Sequence, residues 1–537
     1  MADIIRTDTL WELVEARAAA TPQGLFGHDE SDREMTFAQY RDAAERLASA
    51  LYERGVRLGA VQNPIIPIYR GREVSHCLRQ TGSQLLIVID RFRGFDYEAM
   101  AKELAAEIEG LDVLIAPDGP WEDRLPESAG TLPPASTSGD AVRWVFYTSG
   151  TTSEPKGARH ADKGFLAASF GLAVGMDLSP TDRIGLVFPV THLGGVNSLV
   201  AALSTGAAHL IVESFDPATT IPFLGKHGVT HAGAGTAFHR MYLEVQRTQG
   251  EAPIFPEVRV FQGGGAPKPP PLHYALKEEC GAGILSVYGM TECPVVALGR
   301  LDDPDEQLAN TEGRLNLAGS ELKVVKSDGS LADVGEEGEL RIRAPQLFLG
   351  YIDEALNADA FDEEGFYRTG DLGFIDTNDC LTISGRLKDV IIRKGENISA
   401  QEVEGLLLEH PALADVAVIG VPDELRGEMV CAVVVPRDAE APLALEEVVA
   451  YLRGRELMVQ KRAPQAVRRG ALTLRSDPPG TPGPSERAPA ARSLGLPVHV
   501  RTERPSRPKN PRPRRQPGRT GRFATRDRAD MTPAALS

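Results

Sequence analysis

Residues 258–292 read VRVFQGGGAPKPPPLHYALKEECGAGILSVYGMTE, and they carry the clearest fold signal in the chain. The apolar run VRVFQ leads into a glycine-rich turn, then the helical pattern LHYALKEEC, then a second apolar run, ILSVYG. The same alternation extends over residues 144–290. Short apolar runs that alternate with helical patterns are typical of parallel strands with helices on both faces. The sequence therefore predicts an α/β fold.

Three further segments extend this architecture. Residues 8–56 show helical patterns around a strand-like patch, and residues 319–350 alternate at period two, which indicates a small antiparallel sheet. An α+β pattern follows Gly385. We therefore expect a large N-terminal domain at 1–384, with parallel sheets flanked by helices plus the small antiparallel sheet, and a small α+β lid domain at 385–461.

The charge of the chain is unevenly distributed. The 537 residues carry a net charge of −17, yet residues 462–537 contain 16 arginines and one lysine against five acidic residues. This Arg/Pro-rich segment has too little apolar surface to offset its ordering entropy, so we expect a disordered tail. The acidic body argues against a specific nucleic-acid partner. Two alternatives are open for the tail: it binds polyanions non-specifically, or it has no such role.

Cysteine usage and hydropathy bear on the compartment. The five cysteines are scattered without a CxxC spacing, which fits a reducing, cytoplasmic environment. Residues 1–10 contain acids and no apolar block, so we expect no signal peptide. The most apolar stretch, 193–212, is interrupted by polar residues and Gly206, and it predicts a buried helix and a strand, with no membrane span.

The segment YTSGTTSEPKG at 147–157 is the strongest candidate for chemistry. Five hydroxyl residues, two glycines and Lys156 follow a predicted strand. Glycines allow an anion to approach the backbone, hydroxyls donate to phosphate oxygens, and a lysine supplies positive charge. The spacing differs from a Walker A loop. From composition alone, a Ser/Thr-rich surface turn is equally consistent.

Two more motifs end predicted strands. Gly263–Pro267 follows VRVFQ, and its glycines permit close approach of a flat ligand, although a tight strand-to-helix turn fits equally well. Tyr288–Glu292 follows ILSV, at the end of a parallel strand where ligands bind. A carboxylate there supplies an oxygen for Mg²⁺, whereas a solvated Glu292 is the simpler alternative.

The last two motifs lie later in the chain. Tyr367–Asp371 ends in a carboxylate suited to a ribose diol. Gly385–Asp389 contains Arg386, which is suited to a phosphate or ribose, and the chain continues to the segment 394–398.

Together, these five ordered motifs resemble the AMP-forming acyl-adenylate superfamily, which contains acyl-CoA synthetases, peptide-synthetase adenylation domains and beetle luciferases. The resemblance spans about residues 8–461 and implies ATP, Mg²⁺ and coenzyme A as cofactors. It implies that the phosphates are held by Thr148, Ser149, Gly150, Thr151, Thr152 and Lys156. It implies that the adenine site is lined by Gly264, Ala266, Pro267 and Tyr288.

The same resemblance implies the remaining roles. Thr291 would contact the α-phosphate, and Glu292 would hold Mg²⁺. Asp371 would take the ribose hydroxyls with Arg386 nearby. Lys388 would be the hinge of the lid, and the loop around Gly395 would face the entry tunnel of the thiol.

The implied reaction has two half-reactions. A carboxylate attacks the α-phosphorus of ATP and releases pyrophosphate; the lid then rotates, and CoA attacks the acyl-adenylate. One alternative is transfer to a carrier-protein thiol, and another is a non-catalytic ATP-binding remnant. The sequence leaves the oligomeric state open.

The acyl pocket is predicted to be apolar. His192, in FPVTHLGG, resembles the family's aromatic-or-His gate near the carboxylate, and Phe238 and Met290 are candidate pocket walls. FPVTH lacks the aspartate that amino-acid-activating relatives carry. The sequence therefore predicts a medium-chain, alicyclic or aryl acid, and residues 59–65 resemble fatty-acid and cyclohexanecarboxylate CoA ligases.

The chain departs from the family pattern in two places that matter. About two dozen residues are missing near Arg57, which would leave an apolar strand uncovered. The family's terminal lysine motif is not found after Lys461, so we expect impaired adenylation. His227 and His231 are four apart, but Gly228 argues against a helical metal site there.

Overall fold

The computed structural model describes most of the chain up to residue 453 and one short segment beyond it. The described residues are 4–53, 59–116, 132–135, 137–148, 155–266, 268–393, 396–423, 427–438, 444–453 and 466–469. All of them belong to one compact unit.

Helices flank the strands throughout the described chain. They are α1 (Leu10–Ala20), α2 (Phe37–Glu53), α3 (Gly71–Thr81), α4 (Tyr97–Glu107), α5 (Asp162–Gly175), α6 (Leu193–Thr205), α7 (Pro217–Lys226), α8 (Thr236–Gln249), α9 (Pro270–Cys280), α10 (Asp305–Asn310), α11 (Asn357–Ala360), α12 (Ala400–Leu408) and α13 (Leu445–Arg453).

The strands fall into two groups along the chain. The first group is β1 (Leu25–Asp29), β2 (Glu34–Thr36), β3 (Leu85–Ile89), β4 (Arg91–Phe92), β5 (Phe95–Asp96), β6 (Asp112–Ala116), β7 (Val142–Thr148), β8 (Lys156–Ala161), β9 (Arg183–Leu186), β10 (Ala208–Ile211), β11 (His231–Ala232), β12 (Val260–Gly264), β13 (Ile284–Tyr288), β14 (Ala297–Leu298) and β15 (Arg314–Leu315). The second is β16 (Glu321–Val325), β17 (Gly338–Arg343), β18 (Tyr367–Ile375), β19 (Leu381–Arg386), β20 (Val390–Arg393), β21 (Glu396–Ser399), β22 (Leu413–Asp423), β23 (Gly427–Pro436) and β24 (Ala466–Arg469).

A nine-stranded sheet forms the centre of the fold. Its order is β15-β14-β13-β12-β11-β9-β10-β1-β2, and the strands from β13 to β1 run parallel. Neighbouring residues of a strand point to opposite faces. Accordingly, Phe261 and Ile284 enter one apolar cluster, whereas Val260 and Leu285 enter another. Both faces are therefore buried, which confirms the predicted α/β architecture.

The apolar stretch at 193–212 also folds as predicted. It contains α6 and β10, separated at Gly206, whose φ of +86° is left-handed and suits glycine. In the described part of the chain, no helix is both long and apolar enough to cross a bilayer. All five cysteines are described, and each is buried.

The region between residues 59 and 116 contains a smaller sheet. Within the described residues, β3 pairs in parallel with β6 alone. Ile87 of β3 remains 47% exposed, although it is a large apolar residue. The expected loss of about two dozen residues near Arg57 stays a prediction, because Arg57 lies outside the described residues.

The predicted antiparallel sheet is formed by β16, β17, β18 and β19. It includes both period-two segments, ELKVV in β16 and GELRIR in β17. Their alternate residues Leu340 and Ile342 are fully buried. This sheet places β18 and β19 beside the carboxyl end of β13, as the contacts of Tyr288 show below.

The C-terminal α+β unit has its own apolar core. Strands β20 to β23 and helix α12 surround a cluster that includes Ile398, Val403, Val418 and Val430. Strand β24 pairs in parallel with β23. The prediction of disorder from Arg462 is therefore wrong for Ala466–Arg469, because a four-residue strand completes its backbone hydrogen bonds on the exposed edge of β23. The rest of the predicted tail lies outside the described residues, and the domain boundaries remain predictions.

Candidate active site

Two of the sequence motifs meet at one edge of the nine-stranded sheet. Strands β12 and β13 are adjacent and parallel, with Gly264 opposite Val287. The glycine-rich turn and the segment from Tyr288 to Glu292 therefore leave the sheet at the same end. This is the end at which ligands bind in parallel α/β sheets.

The glycines after β12 are required by close backbone contacts. A Cβ on Gly264 would lie 2.1 Å from the Val287 carbonyl oxygen, and one on Gly263 would lie 2.4 Å from the Gly235 nitrogen. Gly265 has a φ of +77°. Side chains are excluded at these positions, and Gly264 and Ala266 remain exposed. The turn thus presents bare backbone to a flat ligand.

Asp371 is fixed at this sheet edge from two directions. The Tyr288 hydroxyl donates to its Oδ2 at 2.8 Å, and Arg386 Nε donates to its Oδ1 at 2.9 Å. Asp371 and Arg386 are cross-strand partners in β18 and β19. Burial raises the pKa of Asp371, and the charge of Arg386 opposes this shift. The carboxylate is therefore oriented before any ligand arrives.

Glu292 is held by tyrosines from two other elements. The Tyr351 hydroxyl donates to Glu292 Oε1 at 2.5 Å and lies 3.2 Å from the Tyr367 hydroxyl. Burial, followed by the charge of Glu292, raises the pKa of both tyrosines, so their hydroxyls stay protonated as donors. Lys156 Nζ lies 5.5 Å from the centre of the Tyr351 ring.

Thr291 is positioned through its backbone. His160 of β8 is buried, and its Nε2 lies 2.8 Å from the Thr291 carbonyl oxygen. Burial lowers the pKa of His160 to about 4, so the ring is neutral and its Nε2–H donates to this carbonyl. This contact ties β8 to the segment after β13.

Lys388 connects these groups electrostatically. Burial and, second, the charge of Lys156 lower its pKa, whereas Glu292 acts in the opposite direction. The charge of Lys388 in turn acts on Asp371. The structure therefore brings Lys156, Glu292, Asp371 and Lys388 into one electrostatic neighbourhood.

His192 caps helix α6. Its Nδ1 accepts a hydrogen bond from the Gly194 amide at 3.1 Å, which leaves Nε2 as the protonated nitrogen. The ring reaches solvent, but the surrounding protein lowers its pKa by desolvation. Phe188 packs edge-on at 6.0 Å. His192 thus presents a neutral donor beside an aromatic ring.

The two predicted pocket walls pack in different places. Phe238 of α8 makes an edge-to-face contact with Phe215 at 4.9 Å, and both lie against the core of the nine-stranded sheet. Met290 packs instead against the cluster that contains Phe348, Tyr351 and Tyr367. Their shared role in an acyl pocket remains a prediction.

Several predicted site residues lie outside the described chain. They are Ser149, Gly150, Thr151, Thr152, Pro267 and Gly395. Thr148 and Lys156, which flank the first four, are cross-strand partners in the antiparallel pair β7–β8. Both ends of the proposed phosphate loop are thus fixed on one hairpin.

Sequence reasoning missed three residues that organise this site. His160 occupies one position of an alternating strand, and nothing in its local sequence distinguishes it from a core histidine. Tyr351 and Tyr367 are more accessible to such reasoning. Tyr367 opens the YRTGD motif, and Tyr351 follows the glycine of LFLGY in the same apolar-glycine context that marked the other motifs.

Comparison with known proteins identifies the family of the chain. The model of the family described as AMP-binding enzyme matches residues 56–352, and the AMP-binding enzyme C-terminal domain matches residues 402–471. The second match extends past Lys461, where we expected the resemblance to end.

Relatives of known function align over most of the chain. The salicyl-AMP ligase / salicyl-S-ArCP synthetase of Mycobacterium tuberculosis is 31% identical over 533 residues, covering 91% of each chain. The medium-chain fatty-acid–CoA ligase of Escherichia coli is 32% identical over 413 residues, covering 75% of this chain and 72% of the relative. The O-succinylbenzoate coenzyme A synthetase of Bacillus subtilis, solved with ATP and magnesium ion, has a TM-score of 0.72 at 25% identity, covering 84% of this chain and 94% of that chain. The chain belongs to the AMP-binding enzyme family of adenylate-forming ligases.

Proposed function

We propose that this protein activates an apolar carboxylic acid with ATP and transfers the acyl group to coenzyme A. One observation carries the proposal: Asp371, held by Tyr288 and Arg386, lies at the same sheet edge as the bare glycine turn at 263–265. A carboxylate that accepts two hydroxyls, beside exposed backbone that accepts a flat ring, suits a nucleoside.

Each nucleotide contact follows from this placement. The Asp371 carboxylate binds the ribose hydroxyls, and Arg386 supplies positive charge nearby. Gly264, Ala266 and Pro267 pack against the adenine with Tyr288. The 148–156 segment cradles the terminal phosphates, with Lys156 as their counter-charge.

Glu292 suits a magnesium ion. The residue is 8% exposed, so its carboxylate is largely shielded from water. Hydroxyl donors occupy one oxygen, and carboxylate oxygens are the ligands that Mg²⁺ prefers. The bound ion would supply charge stabilisation for the phosphates, while Tyr351 and Tyr367 hold the carboxylate in place.

The first half-reaction joins the acid to AMP. The substrate carboxylate oxygen attacks the α-phosphorus, and the bond to pyrophosphate breaks. Thr291, held through its backbone by His160, faces the α-phosphate, and His192 donates its Nε2–H near the substrate carboxylate. Fixed donors of this kind need no reorganisation during the reaction.

The second half-reaction consumes the acyl-adenylate. We propose 1–384 as the body, 385–461 as the lid, and Lys388 as the hinge between them. Rotation at Lys388 brings the Gly395 loop towards the thiol entrance. The CoA sulfur then forms the bond to the acyl carbon as AMP leaves.

The acid is proposed to be medium-chain, alicyclic or aryl. FPVTH supplies no aspartate to pair with a substrate amino group, and the aromatic residues Phe188 and Phe238 offer apolar surface. The two named relatives act on salicylate and on medium-chain fatty acids.

A carrier-protein thiol is the second candidate acceptor. The observation that favours it is the 31% identity, over 91% of each chain, with an enzyme named for transfer of salicylate to a carrier protein. Thioester formation on a phosphopantetheinyl carrier protein, without formation on free CoA, would decide for this alternative.

Adenylation is proposed to be slower than thiolation. The family's terminal lysine motif is not found after Lys461, and one lost preorganised charge costs roughly 10²–10³ in rate. Synthetic acyl-adenylate with CoA bypasses this step. Equal impairment of both half-reactions would contradict the proposal.

Pyrophosphate exchange tests the function as a whole. The full chain is incubated with ATP, Mg²⁺ and labelled pyrophosphate over a panel of salicylate, benzoate, cyclohexanecarboxylate, octanoate and an amino acid. Exchange that depends on an apolar acid supports the proposal. Nucleotide binding without exchange for any acid would instead indicate a non-catalytic ATP-binding protein.

A further inference from the structure

Three potential metal ligands meet beside β1, five strands along the nine-stranded sheet from β13. His28 lies in β1, Asp32 lies in the turn that leads to β2, and His227 ends helix α7. Asp32 Oδ1 lies 3.2 Å from His28 Nε2 and 3.4 Å from His227 Nε2. One ligand atom from each residue lies within 4.8 Å of the others.

These separations match those of a coordination shell. Zinc binds histidine nitrogen and carboxylate oxygen at about 2.0–2.2 Å in tetrahedral geometry, which places neighbouring ligand atoms roughly 3.3 Å apart. Both Asp32 distances fall close to this value. Only small side-chain movements are needed to place one ion among the three atoms.

The surroundings of His28 fit the same interpretation. Its other nitrogen, Nδ1, lies 3.4 Å from Glu34 Oε1. Metal-bound histidines usually donate their second ring N–H to a carboxylate, which fixes the orientation of the ring. The His28 side chain is only 11% exposed, so its orientation is already restricted.

His227 approaches Asp32 through its Nε2, at 3.4 Å, without a hydrogen bond. Its Nε2 is buried and makes no hydrogen bond to any residue in the described chain. A buried polar atom without a hydrogen bond is costly, and a metal ion would satisfy it.

Lys226 is the competing cation. Its Nζ lies 3.4 Å from the same Asp32 oxygen and is 64% exposed. A long exposed side chain leaves such a contact at little cost. Removal of its charge should therefore strengthen metal binding rather than weaken it.

We propose that His28, Asp32 and His227 bind a divalent transition metal, with Zn²⁺ as the best match, and that Glu34 orients His28. The ion would join the β1–β2 hairpin to the end of α7. Imidazole and carboxylate ligands favour this class over Mg²⁺ or Ca²⁺, which prefer oxygen alone. The fourth position faces solvent and is available to water.

Metal titration of the full chain tests the site. The protein is treated with a chelator, dialysed, and titrated with ZnCl₂ by calorimetry, and then with CoCl₂ by visible absorption. We expect one equivalent to bind, with a Co²⁺ spectrum of nitrogen and oxygen ligands and no sulfur-to-metal charge transfer. Binding with thiolate bands would place the metal on a cysteine and overturn the proposal.

Variants locate the site. Asp32→Asn and His227→Gln should each weaken Zn²⁺ binding at least about 10-fold, and Glu34→Gln about 10- to 100-fold, the range for an orienting partner. Lys226→Met should tighten it. His410→Gln, in the C-terminal unit, is the matched control and should leave it unchanged.

Thermal unfolding supplies a readout that does not depend on activity. Excess Zn²⁺ should raise the melting temperature of the wild type and of His410→Gln, but not that of Asp32→Asn. Circular dichroism of the metal-free variants checks that they fold. Wild-type affinity retained in folded Asp32→Asn and His227→Gln would refute the site.

Discussion

Two regions of the nine-stranded sheet, which we call the β13 edge and the β1 edge, hold polar side chains in different ways. Beyond β13, Asp371 and Glu292 are 5% and 8% exposed, and tyrosines from separate elements fix their orientation. Beyond β1, the Asp32 side chain is 66% exposed, and one of its oxygens lies near two histidines and Lys226. The carboxylates beyond β13 are preorganised, because they are already desolvated when the chain folds.

This difference predicts how each edge responds to substitution. Truncating one partner of a buried, hydrogen-bonded charge leaves the other partner unsatisfied, whereas exposed ion pairs contribute little. Substitutions at the β13 edge should therefore affect activity strongly, and those at the β1 edge should affect metal binding alone.

The largest effect is expected for Glu292→Gln. The amide places an NH₂ group beside the phosphates and removes the charge that would hold Mg²⁺, so pyrophosphate exchange should fall about 10²–10³-fold. Glu278→Gln, on the exposed face of α9, is the control. If Glu292→Gln exchanges pyrophosphate at the wild-type rate, activity is no more sensitive to substitution at the β13 edge than at the β1 edge.

Asp371→Asn should have the next largest effect. The amide keeps the shape of the side chain but weakens its pairing with Arg386 and the ribose hydroxyls, so the KM for ATP should rise about 10- to 100-fold. The KM for the acid should stay constant. Asp359→Asn, an exposed residue of α11, serves as the matched variant. A change in kcat alone would argue against the ribose contact.

Acid should destabilise both edges to a similar degree. Burial lowers the pKa values of His160, His209 and His239 to about 4, whereas an exposed histidine titrates near about 6.5. Between these values the unfolded chain binds more protons, so stability falls as the pH falls through this window. At pH 5, each of these buried rings lowers the free energy of unfolding by about 2 kcal/mol relative to neutral pH.

Urea denaturation at pH 7, 6 and 5 measures this dependence. His209→Gln, near β1, and His160→Gln, near β13, should each flatten the pH dependence by about the same amount. A flattening in only one variant would show that burial acts differently at the two edges.

The smallest effect is expected for Asp32→Asn without metal. Its carboxylate is exposed, so neither the exchange rate nor the melting temperature of the chelator-treated protein should change measurably. A large loss of stability would show that the turn after β1 is as sensitive to substitution as the β13 edge.

Much of the fold was predictable, because its signals are local. Alternation of apolar runs and helical patterns predicted the parallel sheet, and period-two segments predicted β16 and β17. The strand at Ala466–Arg469 was not predictable, because it is stabilised by pairing with β23 rather than by its own composition. Tertiary pairing routinely overrides composition in such short strands.

The residues of the candidate site were likewise predictable only in part. Gly264 and Glu292 were predictable because they lie at or after the carboxyl ends of adjacent parallel strands, whereas Asp371 lies within antiparallel β18 and was predicted from its YRTGD motif. His160 and the cluster of His28, Asp32 and His227 were not found, because their contacts join residues far apart in the chain. His227 was considered with His231, yet Gly228, with a φ of +66°, turns the chain between them. His231 Nε2 instead lies 3.1 Å from the Met176 carbonyl oxygen.

The pairing of Asp371 with Arg386 has a consequence for lid movement. Arg386 is the last residue of β19, two positions before the proposed hinge residue Lys388. A sugar bound at Asp371, as proposed, would therefore alter the forces on the strand end from which the proposed lid departs. By thermodynamic linkage, this influence is reciprocal. If bound nucleotide favours one orientation of the proposed lid, that orientation binds the nucleotide more tightly by the same factor.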